Sequence, residues 1–515
     1  MYLNNTLFRT AQLWPERLAI DTETRQATWR ETLDRVRRLA SSLAELCAEP
    51  EDRIGILALN SAEYVELTLA IPLTGHPMVT MNYRLSHEEL LQMLRDCPVR
   101  VLAFDAAMAE TVAALRPHLD CRFLFMGPAS GAPAFAEPFE ALVQRGHPID
   151  PPLLAPSDIW AIVPSGGTTG VPKAIALSHG AMAFTIAATV KALDLGPEPR
   201  CLHVSPLFHL AGFTANYAIT ANGGTHAFLP QFSVDGLLTS LARHRSTMTN
   251  LVPTMISWLV AREDLADYDL SALRTITYGA AAINLPTLRK LVELFPHIRL
   301  TQFYGQTEAC GALSCLLADD HGLEPGIAHR LRSAGRPLPG VRVEIMDPDG
   351  RILPRNEAGE ICAMTDALFS RYVGYEDLTR GAVRAGWLRT GDIGYLDDDG
   401  FLYVTDRLKD MIVTGGENVS ASEVENVLAT HPDVVQVAVV AAPDDVWGEK
   451  VHAFVVVGGT SAVLEADLDQ LCRARLATYK IPRSYTLQTE PLPLTGAGKI
   501  MKTTLRATFK VPSAT

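Results

Sequence analysis

The chain has no surplus of positive charge: 58 Asp and Glu outnumber 45 Lys and Arg, leaving a formal net charge of −13. That balance argues against nucleic acid as the main partner, so any anionic ligand has to be met by local positive charge. A Cys-x-x-Cys pair is also missing. The eight cysteines are scattered, and Cys310 and Cys315, the closest two, are too isolated for a zinc site and read as reduced thiols. No apolar run is long enough to span a bilayer, and the N-terminus lacks the basic segment and apolar core of a signal peptide. The chain therefore reads as cytosolic. Apolar residues themselves are plentiful: 48% hydrophobic with 20% charged describes a globular protein, and 515 residues exceed one ordinary core, so several domains are expected.

A P-loop is absent too, although something close to one is present. Ser165, Gly166, Gly167, Thr168, Thr169 and Gly170 put three glycines and three hydroxyls into six residues, and Lys173 closes the stretch. Apolar runs at 159–163 and 174–177 flank it, giving strand, loop, strand. Glycines let a backbone approach a ligand, and free N–H groups, hydroxyls and an ammonium suit a polyphosphate. A polar surface loop between two buried strands would have the same composition. In a P-loop the lysine follows a glycine and opens a helix. Here Pro172 precedes Lys173, Ala174 follows it and strand-like residues come next, which disfavours a kinase or P-loop ATPase.

Strand-like runs at 18–21, 53–58 and 99–104 alternate with helical segments in the first part of the chain. Thr28 caps a helix carrying Leu33, Val36, Leu39, Leu43 and Leu46 at helical spacing. Such alternation implies a parallel α/β sheet. His203 and His209 flank Pro206 and Phe208, and with no further ligand at metal spacing a packed strand end and a metal site both stand. Arg243, His244 and Arg245 form a small basic cluster that reads as a solvated helix end. Residues 273–282 form a strand ending in Gly279, Ala280, Ala281 and Ala282, small side chains that leave room for a flat ligand. Residues 301–308 bring together Gln302, Phe303, Tyr304, Gly305, Thr307 and Glu308. An aromatic there can stack on a base and a carboxylate can hold Mg²⁺, while a turn with a helix cap fits Thr307 and Glu308 as well. Residues 333–410 read as a small β subdomain of short strands, and Asp392 within it can accept hydrogen bonds from both hydroxyls of a ribose. Beyond it a strand, the pair Gly415-Gly416 and a cap lead into a helix at 422, and Lys499 lies in a Gly-rich turn.

In this order, the segments resemble the adenylate-forming superfamily of acyl-CoA synthetases, peptide-synthetase adenylation domains and luciferases. The loop is similar to that family's Thr-Ser-Gly-Thr-Thr-Gly-x-Pro-Lys, with Ser165 and Gly166 in the first two places and so one hydroxyl fewer. Gly279, Ala280 and Ala281 match the adenine segment, with Ala282 where proline is usual. Tyr304, Gly305, Thr307 and Glu308 match a second hallmark, Asp392 the ribose segment, and Lys499 the catalytic lysine of Leu-Pro-x-Thr-x-x-Gly-Lys-Ile. Five motifs in family order cover nearly the whole chain.

The resemblance implies an α/β chain with a large N-terminal domain, 1–405, built of two α/β subdomains and a β subdomain. A hinge at 406–410 pivoting on Lys409 and a small mobile α+β domain, 411–515, would follow. It implies an acyl-CoA synthetase using ATP, Mg²⁺ and coenzyme A. In that reading Tyr304 stacks near adenine, Thr307 touches the α-phosphate, Glu308 holds the magnesium, Arg407 reaches the ribose, and Gln302, Phe303 and Gly305 line the nucleotide. The loop mainly steers the leaving pyrophosphate while Lys499 carries the chemical step. Phe208 and His209 border the acyl pocket and gate the thiol tunnel, and Arg245, Gly415, Gly416 and Glu417 meet CoA. Ala211 and Gly212, where hydroxycinnamate ligases often carry a tyrosine two residues after the gate histidine, point to a longer apolar channel and favour a fatty acid over an aromatic one. A carrier-loading adenylation enzyme, a luciferase-like enzyme and an inactive binding protein of this fold are the other readings. The partner expected is a small carboxylic acid, with a homodimer left open.

Overall fold

The computed structural model describes residues 3–164, 173–407, 410–414, 417–444, 446–458, 465–495 and 499–509. Residues 165–170, Lys409 and Gly415-Gly416, singled out above, lie outside the described residues.

Three sheets form the larger part. In the first, strands Met78–Thr80, Ile54–Leu57, Val101–Asp105, Arg122–Met126 and Glu137–Pro138 run parallel in that spatial order. Ile159–Pro164 joins Met78–Thr80 in parallel, and Ala174–Ser178 then returns antiparallel, with Pro164 opposite Ala174. The two strands expected on either side of 165–172 thus pair antiparallel with each other. The second sheet has a parallel centre, Thr225–Phe228, Arg200–His203, Met248–Leu251, Thr275–Gly279 and Arg299–Gln306, bordered antiparallel by Gly311–Leu316. At its other edge lies Leu18–Asp21, paired to Gln26–Thr28, a hairpin partner that the hydrophobic pattern did not announce because it is only three residues long.

Helices His179–Leu193 and Leu210–Ala221 lie against these sheets and are largely apolar and buried, with Ala187, Lys191 and Ala211 exposed. Trp160 of the first sheet meets Phe213 and Tyr217 of the second helix edge-on at 5.2 and 5.9 Å, inside one continuous core. Trp29–Leu46, by contrast, is amphipathic and starts with a full capping box between Thr28 and Glu31, as the Thr28 signal predicted.

The third sheet, antiparallel, contains Arg342–Met346, Gly359–Met364, Trp387–Leu396 and Leu402–Arg407. The smaller C-terminal part has its own sheet, dominated by the hairpin Val434–Asp444 and Gly448–Val457, and helices Ala421–Leu428, Glu465–Arg473 and Lys502–Ala507. Where the two parts meet, Ala421 N donates to Asp406 at 2.7 Å, Ser420 Oγ donates to the Thr405 carbonyl at 3.0 Å, and Arg506 pairs with Asp410 at 2.5 Å. Among the described residues no helix is long and apolar enough to cross a membrane.

Several imidazoles are buried in this fold, and burial outweighs the opposing pull of Asp158 on His179 and of Asp320 on His321. Burial pushes His203 down to about 3 and His179, His321 and His452 to about 4, from an ordinary value of 6.5. The folded chain therefore refuses protons that the unfolded chain accepts. The stability is complete above about pH 6.5 and falls as the pH drops from 6.5 towards 4, by up to ~1.4 kcal/mol per pH unit for each such histidine. Calorimetric unfolding near pH 5.5 in buffers of different ionisation enthalpy is expected to show net proton uptake; none would mean that these imidazoles already titrate in the folded protein.

Candidate active site

The carboxyl ends of Thr275–Gly279 and Arg299–Gln306 open into a cavity of about 590 Å³. The position is the usual one for ligands of open α/β sheets. Gly279 pairs with Phe303 across the two strands, and Ala280 just beyond takes φ +68°, a left-handed conformation that costs a non-glycine residue and recurs at ligand-binding rims. Gly305 is fixed by a close approach: a Cβ there would stand 2.0 Å from the Gly311 carbonyl oxygen. Gly279, Ala280, Phe303 and Gly305 all border the cavity.

On one side Asp392, 4% exposed, faces Arg407 across adjacent strands, with Arg407 Nε 3.1 Å from Oδ1. The Tyr304 hydroxyl donates to Asp392 Oδ2 at 2.7 Å. Burial first, and the neighbouring Asp392 charge second, hold this phenol well above its ordinary value, so it stays a proton donor. Asp392 is thereby locked in one rotamer, with both oxygens oriented. Asp392 and Arg407 border the cavity. Tyr304 does not; its hydroxyl braces Asp392 instead of joining the lining.

Thr307 and Glu308 follow in a single 3₁₀ turn, and both border the cavity. Glu308 Oε1 accepts from the Tyr372 hydroxyl at 2.7 Å, and the Lys173 ammonium lies 5.6 Å from the centre of the Tyr372 ring. Tyr372 thus ties the expected metal ligand to the lysine that closes the phosphate-type loop. The sequence carried no signal for it, because its place depends on Tyr372 pairing with Ile175 across a two-residue strand. Lys173 also borders the cavity.

Lys499 reaches the same cavity from the C-terminal part, with Thr495 N donating to the Lys499 carbonyl at 2.6 Å. Burial first, then the positive charges of Lys499 and the Arg84 guanidinium, push His209 down to about 3, which favours its neutral form. His209 borders the cavity, and its Nε2 has no hydrogen-bond partner among the described residues. His203, its companion in sequence, is elsewhere: it stacks on His226, with Nε2 and Nδ1 2.9 Å apart. The two histidines do not form a metal pair.

Other expected residues fall away from the cavity. Phe208 is buried in the core, edge-on to Tyr83 at 5.4 Å. Gly212 does not widen a channel; a Cβ would stand 2.5 Å from the Pro206 carbonyl oxygen, so glycine serves the packing of the helix start, and only Ala211 of that pair borders the cavity. Gln302 accepts from the Tyr278 hydroxyl at 3.4 Å, and neither it nor Ala281 is in the lining. The basic cluster separates into three individual pairs: Arg243 with Glu23, His244 with Asp21 at 3.1 Å, and Arg245 with Asp269 at 3.7 Å. Arg245 and Glu417 do not border the cavity.

The family model described as AMP-binding enzyme matches residues 7–373, and that of the AMP-binding enzyme C-terminal domain matches residues 423–499. The chain is an AMP-binding enzyme. It belongs to the adenylate-forming CoA ligase family. The indoleacetate–CoA ligase of Aromatoleum aromaticum is 32% identical over 511 residues, covering 98% of both chains. A medium/long-chain-fatty-acid–CoA ligase of Mycobacterium tuberculosis is 33% identical over 490 residues, 92% of this chain and 84% of that one. Among solved structures, the o-succinylbenzoate CoA synthetase of Bacillus subtilis with its acyl-adenylate intermediate is 30% identical, covers 98% of both chains and superposes with a TM-score of 0.83. The same synthetase has been solved with ATP and magnesium. This AMP-binding enzyme thus has relatives acting on aromatic and on alkyl acids, and the expected family is the one found.

Proposed function

We propose that this chain joins a carboxylic acid to coenzyme A in two half-reactions within the one cavity. The acid's carboxylate attacks the α-phosphorus of ATP, giving an acyl-adenylate and releasing pyrophosphate; the CoA thiolate then attacks the acyl carbon and AMP leaves. Splitting one hard step into two easier ones activates a poor electrophile. The observation that carries this reading is the convergence of Lys499, from the C-terminal part, with Thr307, Glu308 and Asp392 around that cavity. Asp392, held by Tyr304 and Arg407, would accept the ribose hydroxyls. Glu308 would hold Mg²⁺, which binds through one or two carboxylates together with phosphate oxygens and water, and Glu308 bordering the cavity fits that demand. The ion would offset charge on the phosphates. Ser165, Gly166, Gly167, Thr168, Thr169, Gly170 and Lys173 would steer the departing pyrophosphate.

The experiment measures acid-dependent pyrophosphate release and thioester formation with CoA present and absent. Release without CoA and thioester with it supports the reading. Release with no transfer to CoA would point to a carrier-loading adenylation enzyme, oxygen consumption to a luciferase-like one, and neither product to an inactive binding protein.

The C-terminal domain would turn about 406–410 between the half-reactions, withdrawing Lys499 and bringing Gly415, Gly416 and Glu417 to the CoA arm, with Arg245 on the CoA phosphates. Lys409→Pro, which fixes φ at the pivot, is expected to leave pyrophosphate release at the wild-type rate and slow thioester formation. Unchanged overall turnover would count against a hinge there.

A further inference from the structure

Helix His179–Leu193 acts as a ruler along the cavity. Thr185 lies beside Gly311, whose hypothetical Cβ would be 3.2 Å from Thr185 Cγ2, so this turn of the helix is level with the segment that follows Glu308. Thr189 is four residues further on, about 6 Å deeper at 1.5 Å per residue, and Leu193 another turn beyond. Thr189 and Leu193 both border the cavity. Leu193 packs with Met248 and Phe303, which also border it, so the deep end is apolar.

Thr189 is the exception in that apolar end. It is 4% exposed, and its Oγ1 makes no hydrogen bond among the described residues, not even to the carbonyl one helical turn back that threonines usually use. Ser205 and Asn250 on this wall are bonded to each other, and Asn250 Nδ2 donates to Thr277 Oγ1 at 2.8 Å, whereas His209 Nε2 at the cavity and Thr185 Oγ1 one turn back share the lack of a partner among the described residues. A buried hydroxyl with no partner is costly to keep, and Thr189 borders a space from which a ligand can satisfy it.

We propose that the acid activated by this chain carries a hydrogen-bonding oxygen or nitrogen on its body, remote from its carboxylate, and that Thr189 Oγ1 is the group that recognises it. This rests on the cavity being the acid site of an adenylate-forming ligase. It turns the substrate away from a plain alkyl acid and towards a hydroxylated, oxo or amino-substituted acid with an otherwise apolar body. A hydrophobic wall discriminates poorly between such an acid and its methyl isostere, whereas a wall with one unpaired hydroxyl rejects the isostere, because that hydroxyl then stays buried and unmet.

The test compares kcat/KM for acid-dependent pyrophosphate release over matched pairs: 3-(4-hydroxyphenyl)propanoic against 3-(4-methylphenyl)propanoic acid, 8-hydroxyoctanoic against nonanoic acid, and 4-aminophenylacetic against 4-methylphenylacetic acid. The wild type is expected to prefer the polar member of at least one pair by about tenfold or more. Thr189→Val, which keeps the shape and removes the hydroxyl, is expected to erase that preference, and Thr189→Ser to retain it. Methyl isosteres equal to or better than their polar partners in the wild type would overturn the proposal while leaving adenylation intact, as would a preference that survives in Thr189→Val. No pyrophosphate with any acid would overturn the adenylation reading itself, and the proposal with it.

Discussion

Lys499→Ala is expected to lower acid-dependent pyrophosphate release by about 10²–10³-fold while leaving conversion of supplied acyl-adenylate to thioester at the wild-type rate. The reason is electrostatic. A carboxylate approaching an α-phosphate brings two anions together, and charge grows on both as the phosphorus is attacked. An ammonium between them offsets that charge in a site with little water, where a single well-placed donor is worth roughly 3–4 kcal/mol. Lys499 borders the cavity together with Asp392 and Glu308, and it stands close enough to His209 to depress that imidazole. Because His209 is already neutral, it supplies no second positive charge to compensate for the loss. Lys499→Arg is not expected to rescue fully, since a planar guanidinium on a different stem cannot occupy the same point. Rapid-quench measurements of each half-reaction separate the outcomes. Equal losses in both would show that Lys499 acts on binding or folding instead of the first chemical step.

Glu66→Ala is expected to carry the largest effect on stability, about 3–5 kcal/mol, because it breaks a buried ionic cluster from its centre. Glu66 lies on helix Ala62–Thr74 and is fully buried. Arg35 grips both its oxygens, at 2.9 and 3.1 Å, and Arg25 Nη1 lies 2.8 Å from Oε1. Arg35 also donates to both oxygens of Glu140, at 3.0 and 2.6 Å, so the Glu66 carboxylate anchors a cluster of four residues, itself included. Removing Glu66 leaves two guanidinium groups facing each other with a single acid between them. Urea midpoints would register the loss. None of the four borders the cavity, so pyrophosphate release per folded molecule is expected to stay at the wild-type level. A double-mutant cycle with Arg35→Met should recover much of the cost, as the uncompensated charge goes too. A Glu66→Ala midpoint shift within error would show that the cluster contributes nothing to holding the first helices together.

The chemistry was legible where it is written in consecutive residues. Tyr304, Thr307 and Glu308 are neighbours, so one strand end and one turn deliver them together; Ser420 and Thr28 cap the helices their spacing announced. What did not come through are the supports. Tyr372 under Glu308, Arg407 facing Asp392 and Tyr304 bracing it from behind depend on strands meeting in a particular register, and no periodicity records which strands will meet. Gly212 misled for a related reason: a glycine can mean an open channel or a close backbone contact, and only the Pro206 carbonyl beside it distinguishes the two. Arg243, His244 and Arg245 looked like one basic patch because sequence shows charge without showing partners.

The sequence alone determined the family and the order of its motifs, since these are properties of residue type and spacing along one chain. The tertiary structure alone decided which of those groups share a cavity, and that Lys499 is among them although nearly two hundred residues separate it from Glu308. It also decided that Thr189, on a largely apolar helix, would border that cavity with its hydroxyl unpaired among the described residues. Both follow from packing: a helix turns every side chain to a direction, but only the sheets and helices closing around it determine whether that direction meets a core, a partner or an open space.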